Sequence, residues 1–297
     1  MMYNNFSGYL KRKYGIKVGK ICIDGGFSCP NRDGRCGLGG CIFCGERGAG
    51  EHINADISIE AQVRAGLNRG RTDAYIAYFQ NFSNTYADVE TLKARYDSAL
   101  IDDRIVVLAI GTRPDCIDED IARLIAGYKD RVDVWVELGL QSASDITAQT
   151  INRGYRTEVF KRATEILSSY GIPYVIHMII GLPGEKREDV LNTVDVINST
   201  DPFGVKIHSL YVMDGTQLAS MYNEKRYMPP SLDEFVSLAA DSLERLSPDT
   251  VIHRLTGDCP EGMLLAPDWS KNKNAVLDAI RAELTRRGTR QGSHFKN

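Results

Sequence analysis

Four cysteines fall within sixteen residues in the stretch GGFSCPNRDGRCGLGGCIFCGERG, Gly25 to Gly48. Thiolates are soft ligands, and a cluster of them selects zinc or an iron–sulfur centre. Cys29, Cys41 and Cys44 form C-x11-C-x2-C, with Cys36 between them and Cys22 upstream. Spacing alone allows a structural zinc site on Cys29, Cys36, Cys41 and Cys44, which would make the protein a non-catalytic adaptor. It equally allows a three-thiolate iron–sulfur site whose third ligand is either Cys29 or Cys36. Disulfides fit poorly, because the seven cysteines are odd in number and the N-terminal MMYNNFSGYLKRKYGIKV lacks the apolar run of a signal peptide. These features predict a reducing, cytoplasmic setting, and no apolar run approaches the ~20 residues of a membrane span.

A cysteine loop needs a scaffold, and the 297 residues, 43% hydrophobic and 25% charged, suffice for one large barrel or two modest domains. Apolar runs at 17–23, 74–79, 104–110, 132–140, 173–180 and 204–212 read as strands buried on both faces. Between them lie segments of helical period, such as Val89, Leu92, Tyr96 and Ala99, or Ile117, Ile121, Leu124 and Ile125. This βαβ order predicts an α/β fold with a parallel sheet, either an open doubly wound sheet or a full or partial barrel. Beyond residue 213 the pattern changes, and SLDEFVSLAADSLERL opens with a Ser231–Glu234 capping box and continues as an amphipathic helix. Ligands of such folds collect at the carboxyl ends of the strands. There the chain places DGG, QNFSNT, GTRPDC, QSASD, GLPGE and MDGT, and the glycine-rich stretch 34–50 reads as a long functional loop. Trp135 and Trp269 read as packing residues, and Cys116 as a small buried hydrophobe.

The cysteine loop after the first strand, Phe43 immediately before the last cysteine of CIFC, the six βα units and HMIIGLPGE together resemble the radical S-adenosylmethionine (SAM) superfamily. Within it, GGFSCPNRDG, GGCIFC, GTRPDC, ELGLQS, INRGY and HRLTGD are similar to the bacterial YhcC/YtqA-like family, related to the elongator catalytic subunit, over roughly residues 10–270. The resemblance implies a partial (β/α)6 TIM-type barrel with a C-terminal α-rich extension: a basic segment over 1–15, a core over 16–215 and an extension with a basic tail over 216–297. It implies a 4Fe-4S cluster on Cys29, Cys41 and Cys44, leaving one iron open for S-adenosylmethionine and Cys36 free. Cleavage of that cosubstrate would give a 5′-deoxyadenosyl radical, with electrons from a donor such as flavodoxin or ferredoxin. Gln141 and Arg153 match the spacing of cosubstrate contacts in oxygen-independent coproporphyrinogen oxidases. Phe43, Gln80, Asn81, Ser83, Asn84, His177, Gly181 and Gly184 are further cosubstrate candidates, although the usual Gly-Gly-Glu is replaced by residues of YFQNFSNTY. Arg113 and Asp115 of GTRPDC, and Arg254 of HRLTGD, are the catalytic candidates at the mouth.

The same resemblance points to tRNA as partner and to the wobble uridine as substrate, with a 5-carboxymethylaminomethyl side chain converted to 5-aminomethyl. A small-molecule substrate is the alternative. With 36 basic and 39 acidic residues the net charge is −3, so nucleic acid would have to be held locally. The basic runs Lys11–Lys20 and Arg286–Lys296 are expected to supply phosphate contacts flanking the mouth. No second C-x2-C is present for an auxiliary cluster, and no acetyltransferase-sized segment follows residue 230.

Overall fold

The computed structural model describes residues 2–48, 53 and 56–296. Ala49 and Gly50, which end the glycine-rich stretch, and the terminal residues 1 and 297 lie outside them. The strands are β1 Val18–Ile23, β2 Ala74–Phe79, β3 Ile105–Thr112, β4 Asp133–Gln141, β5 Tyr174–Ile180, β6 Gly204–Ser209, β7 Val212–Met213, β8 Val251–Arg254 and β9 Leu264–Ala266. The helices are α1 Phe6–Tyr14, α2 Ile59–Arg69, α3 Val89–Asp97, α4 Glu119–Ala126, α5 Asp145–Thr150, α6 Thr157–Ser169, α7 Arg187–Asn198, α8 Gln217–Asn223, α9 Leu232–Arg245 and α10 Lys273–Arg287. One parallel sheet runs β1-β2-β3-β4-β5-β6-β8, and β7 pairs antiparallel with β9. The result is a partial TIM-type barrel whose edge strands, β1 and β8, do not pair with each other.

All six strands read from the sequence are present, and the C-terminal extension contributes a seventh in register with β6. Four residues, VIHR, are too short for a period, and two of them are polar, so no strand pattern marks them. The helices cover the outer face over a core that includes Leu92, Tyr96, Ile121, Ile125, Phe160, Val194 and Phe235. Val89, expected on that buried face, is instead exposed at the first turn of α3. The capping box of α9 forms as expected, with the Ser231 side chain accepting from the Glu234 amide and Glu234 accepting from the Ser231 amide at 2.8 Å. Trp269 stacks on Phe235 at 5.1 Å and donates its indole N–H to the Pro230 carbonyl at 3.1 Å.

Inside the barrel a second core includes Ile76, Val107, Ala109, Trp135 and Val175, with Leu10 of α1 buried against it. Phe6 stacks on His253 at 3.9 Å and meets Trp135 edge-on at 5.8 Å. Helix α1 is therefore a plug, and its location corrects one expectation. Lys13 pairs with Asp133, the first residue of β4, at 2.6 Å. Gln291, just past α10, donates to the Thr250 carbonyl at 2.8 Å, immediately before β8. In a parallel sheet all strand starts share one end, so both basic runs gather at the base, opposite the cysteine loop. Many of their charges are also spent within the chain: Arg287 bridges Asp241, Glu244 and Glu283, and Arg286 pairs with Glu283.

Candidate active site

The loop after β1 is wound by its own backbone. The amides of Arg32, Cys36 and Gly40 donate to the carbonyls of Cys29, Pro30 and Asn31, each at 2.8 Å, and the Cys44 amide donates to Cys41 at 3.0 Å. It is tied to the segment after β4 by side chains that sequence reading did not single out. Asn31, fully buried, donates to the Asn152 carbonyl at 2.6 Å and approaches Cys41 Sγ at 3.8 Å, and Asn152 donates back to the Gly40 carbonyl at 2.7 Å. Gly154 has φ +84°, and a Cβ there would lie 2.6 Å from Asn31 Oδ1, so the seam requires glycine at that position. INRGY thus acts as a buckle for the cysteines.

Cys41 and Cys44 are hydrogen-bonded to each other. Cys44 is held below the ordinary thiol range by the bond it accepts from Cys41, with Arg32 and Arg113 adding positive potential, and Cys41 as donor is pushed up. Cys29 bears on Cys44 through its charge. Among the described residues no three His, Cys, Asp or Glu side chains converge into a ready-made cage for a single ion. Cys41 and Cys44 do meet, with Cys29 near enough for its charge to reach Cys44, and these soft donors beside Arg32 and Arg113 suit an anionic iron–sulfur cluster. Cys36 is exposed and lines a separate cleft of about 550 Å³ with Arg35, Tyr86, Asp115 and the buried Cys116.

The loop after β2 faces this region with unsatisfied groups. Asn81, Ser83 and Asn84 are buried, and Asn81 Oδ1, Ser83 Oγ, Asn84 Oδ1 and Asn31 Oδ1 have no hydrogen-bond partner among the described residues. Buried polar atoms without partners are costly, and four of them around the mouth match a site built for a polar ligand. Asn81 also donates to Asp24 at 2.6 Å, which places Asp24 of the DGG segment at the same mouth. Gln80 donates its amide to Ile23 at 3.1 Å, joining the first two strand ends.

The other expected site residues have defined places. Arg113 forms a bidentate pair with Asp115 at 2.7 and 2.9 Å and donates to the Arg153 carbonyl at 2.9 Å. Burial works against the Arg113 charge, but Asp115 outweighs it and the guanidinium stays protonated. Arg153, 1% exposed, donates to the carbonyls of Leu140, Ser142 and Tyr155 and sits 4.5 Å from the Tyr155 ring centre. Its guanidinium is committed to holding the end of β4. Gln141 follows a bulge with φ +59°, beside the Tyr155 hydroxyl at 3.3 Å. Gly181 has φ +99° and lies under Pro230 and Tyr227, whose hydroxyl donates to the Gly181 carbonyl at 2.7 Å. Phe43 packs on the cluster of Ile42, Ile151, Ile179 and Leu182. Arg254 is partly exposed, 4.0 Å from Asp258.

His177 is not at the loop level but within the barrel, where its Nε2 donates to Glu137 at 2.8 Å. Glu137 also accepts from Lys206 and, at 3.3 Å, from the Trp135 indole. Burial alone would raise the Glu137 pKa, but Lys206 and His177 hold it well below the usual range. Burial lowers Lys206 to about 8 and keeps His177 and His208 neutral. Sequence reading passed over Glu137, Lys206 and His208 as strand residues. The available clue was position: a polar side chain in a strand whose other face is covered by helices must point into the barrel.

Thiols on the first strand end of a parallel half-barrel, with ligand-poor polar atoms around them, form a site suited to a metal cluster and a polar cosubstrate. The chain belongs to the radical SAM superfamily: that family's model matches residues 33–197, and the Radical_SAM C-terminal domain matches 202–286. It is 38% identical to the uncharacterized protein YtqA of Bacillus subtilis over 99% of this chain and 93% of that one. It is 31% identical to a tRNA uridine(34) acetyltransferase of Dehalococcoides mccartyi over 62% of this chain and 39% of that enzyme. The structure of Methanocaldococcus infernus Elp3 lacking residues 1–46 superposes with a TM-score of 0.71 at 18% identity, covering 92% of this chain and 64% of that one. The protein is therefore a radical SAM enzyme whose cofactors are a 4Fe-4S cluster and S-adenosylmethionine, which sets the zinc-adaptor alternative aside. Among the described residues no helix is long and apolar enough to cross a membrane.

Proposed function

We propose that this enzyme modifies the C5 side chain of the wobble uridine in tRNA, converting carboxymethylaminomethyl to aminomethyl. The observation that carries the reading is the similarity of its radical SAM portion to a tRNA uridine(34) acetyltransferase, joined to a mouth where four buried polar atoms lack partners among the described residues. Cys29, Cys41 and Cys44 would hold the cluster. When bound, the cluster supplies the electron that cleaves S-adenosylmethionine, giving a 5′-deoxyadenosyl radical able to take hydrogen from the CH₂ between nitrogen and carboxylate. Asn81, Ser83 and Asn84 offer polar atoms to the cosubstrate's amino group and ribose, with Gln80 and Gln141 at the adjoining strand ends. Gly181 and Phe43 lie on the apolar side, where adenine would pack. Arg153 and Arg113 position the loops and lend positive potential to the thiolates. An electron carrier such as flavodoxin or ferredoxin would supply the electrons, and its oxidised form would accept the second electron of the two-electron oxidation. Water would then cleave the resulting C=N bond and release glyoxylate. Total tRNA from cells lacking the gene should accumulate the carboxymethylaminomethyl nucleoside at the expense of the aminomethyl one, as read by mass spectrometry of digested nucleosides. An unaltered wobble-uridine profile would refute this substrate and leave the superfamily chemistry in place.

A further inference from the structure

The interior of the half-barrel carries an imbalance of charge that neither the cluster nor S-adenosylmethionine accounts for. Lys206 faces His177 across β5 and β6 and Arg254 across β6 and β8, in register. Lys20 of β1 reaches over the Tyr78 ring at 5.2 Å, and Lys206 lies over the same ring at 4.6 Å. The charges of Lys20, Lys206 and Arg254 all bear on the Cys22 thiol between them. Against these three cations stands one buried carboxylate, Glu137, whose oxygens are already engaged by Lys206, His177 and Trp135. Asp258 lies 4.0 Å from Arg254 but is bound more closely by Lys273, at 2.5 Å. Beside them His208 keeps a buried ring nitrogen without a partner among the described residues. The apolar plug of Phe6, Leu10 and Trp135 closes the base below, so the polar layer opens toward the mouth and toward the gap between β1 and β8.

We infer that this interior layer, Lys206, Arg254, Lys20 and His208 arranged around Glu137, is a binding site for a carboxylate group of the substrate. A guanidinium, an ammonium and an imidazole nitrogen beside a saturated carboxylate match a small carboxylate, and the partial exposure of Arg254 and the exposure of Lys20 leave an anion a path to the buried Lys206. The layer lies within the barrel, which a side chain can enter while a polymer's phosphates stay outside. Glu137 has a separate role, since its saturation by three donors fixes the directions of Lys206 and His177. The assignment deepens the proposed function and rests on it for the identity of the bound group, since a carboxymethylaminomethyl side chain ends in a carboxylate.

The test uses the full chain labelled with ¹⁵N-histidine, titrated with sodium acetate against sodium chloride at equal ionic strength. The expected result is saturable movement of the His177 and His208 ring resonances, identified through His→Gln variants, with at least tenfold weaker binding in Arg254→Met. Lys206→Met leaves Glu137 buried and unpaired, so the double variant Glu137→Gln/Lys206→Met is the safer partner, and it should bind no acetate. Resonances that acetate moves no more than chloride does would overturn the site. Inorganic phosphate binding more tightly than acetate would also overturn it, by assigning the layer to a phosphate. The titration requires neither cluster nor tRNA, so its failure leaves the tRNA reading standing, and an unaltered wobble-uridine profile leaves the site standing.

Discussion

The two ends of the barrel are built on opposite terms. At the base, Phe6 and Leu10 fill the interior against Trp135, Val107 and Val175, Lys13 pairs with Asp133, and the one buried ring nitrogen left over among the described residues there, on His253, is covered by Phe6. At the mouth, Asn31, Asn81, Ser83 and Asn84 are buried with an oxygen unpaired among the described residues, and Gln141 and Asn152 adopt left-handed backbone at φ +59° and +51°. Parallel α/β proteins tend to divide in this way, with stability drawn from the amino ends of the strands and chemistry placed at the carboxyl ends. The mouth is held in a costly arrangement by a base that carries less of that cost, with His253 and, before β6, Asp201 at φ +48° as its share.

The sharpest way to break this division is to remove a cluster ligand. Alanine at Cys29, Cys41 or Cys44 should abolish iron and sulfide loading after anaerobic reconstitution while barely changing the thermal midpoint of the unloaded protein, and Cys36→Ala should load fully. A Cys36 variant without iron would move the third ligand from Cys29 to Cys36. The converse change lies at the base. Leu10→Ala removes a side chain 6% exposed from the plug and should cost about 2–4 kcal/mol of stability. Below its melting transition that variant should still take up a full complement of iron, and loss of loading in the folded variant would show that the two ends are not independent.

The smallest effect concerns a carboxyl at the mouth. Glu185, in the turn after β5, accepts from the Ser142 hydroxyl, yet burial raises its pKa to about 7. Because the folded pKa lies above the ordinary carboxylate value, the native state keeps a proton that the unfolded chain has released. Stability therefore falls as pH rises from about 4.5 to about 7 and is level above that. Glu185→Gln should melt higher than the parent at pH 8 and equal to it at pH 4. A gain of the same size at both would mean that ionisation of Glu185 is not what costs stability there.

Much of this was legible in the residues. The six apolar runs are strands, the capping box opens α9, and the cysteine loop follows β1, because apolar run length, side-chain capping and local spacing are short-range properties. What escaped depends on how distant segments meet. The basic run at Lys11–Lys20 reads as a nucleic-acid contact, but its helix also carries Phe6 and Leu10, and these decide that it enters the base. Arg153 matched a cosubstrate contact by spacing, whereas its donors turn back to the carbonyls of Leu140, Ser142 and Tyr155, which only the folded turn brings within reach. Glu137, Lys206 and His208 were hidden in apolar runs, where a single polar residue looks tolerated and its partners lie up to 128 positions away.

The fastening at the base has a further consequence, for the order in which the molecule can assemble. The Asn4 amide donates to Gln291 Oε1 at 2.8 Å, the Gln291 amide donates to the Met2 carbonyl at 2.9 Å, and Asn5 bridges to Ile252. The residues that lead into the plug are thus secured by residues made about 250 to 290 positions later. During synthesis the first strands can pair as they emerge, but α1 has neither β8 nor residue 291 to hold it until these have emerged in turn. Contacts spanning 287 residues carry a large loop-closure cost, so sealing of the base belongs to the end of folding, after the sheet that it closes has formed.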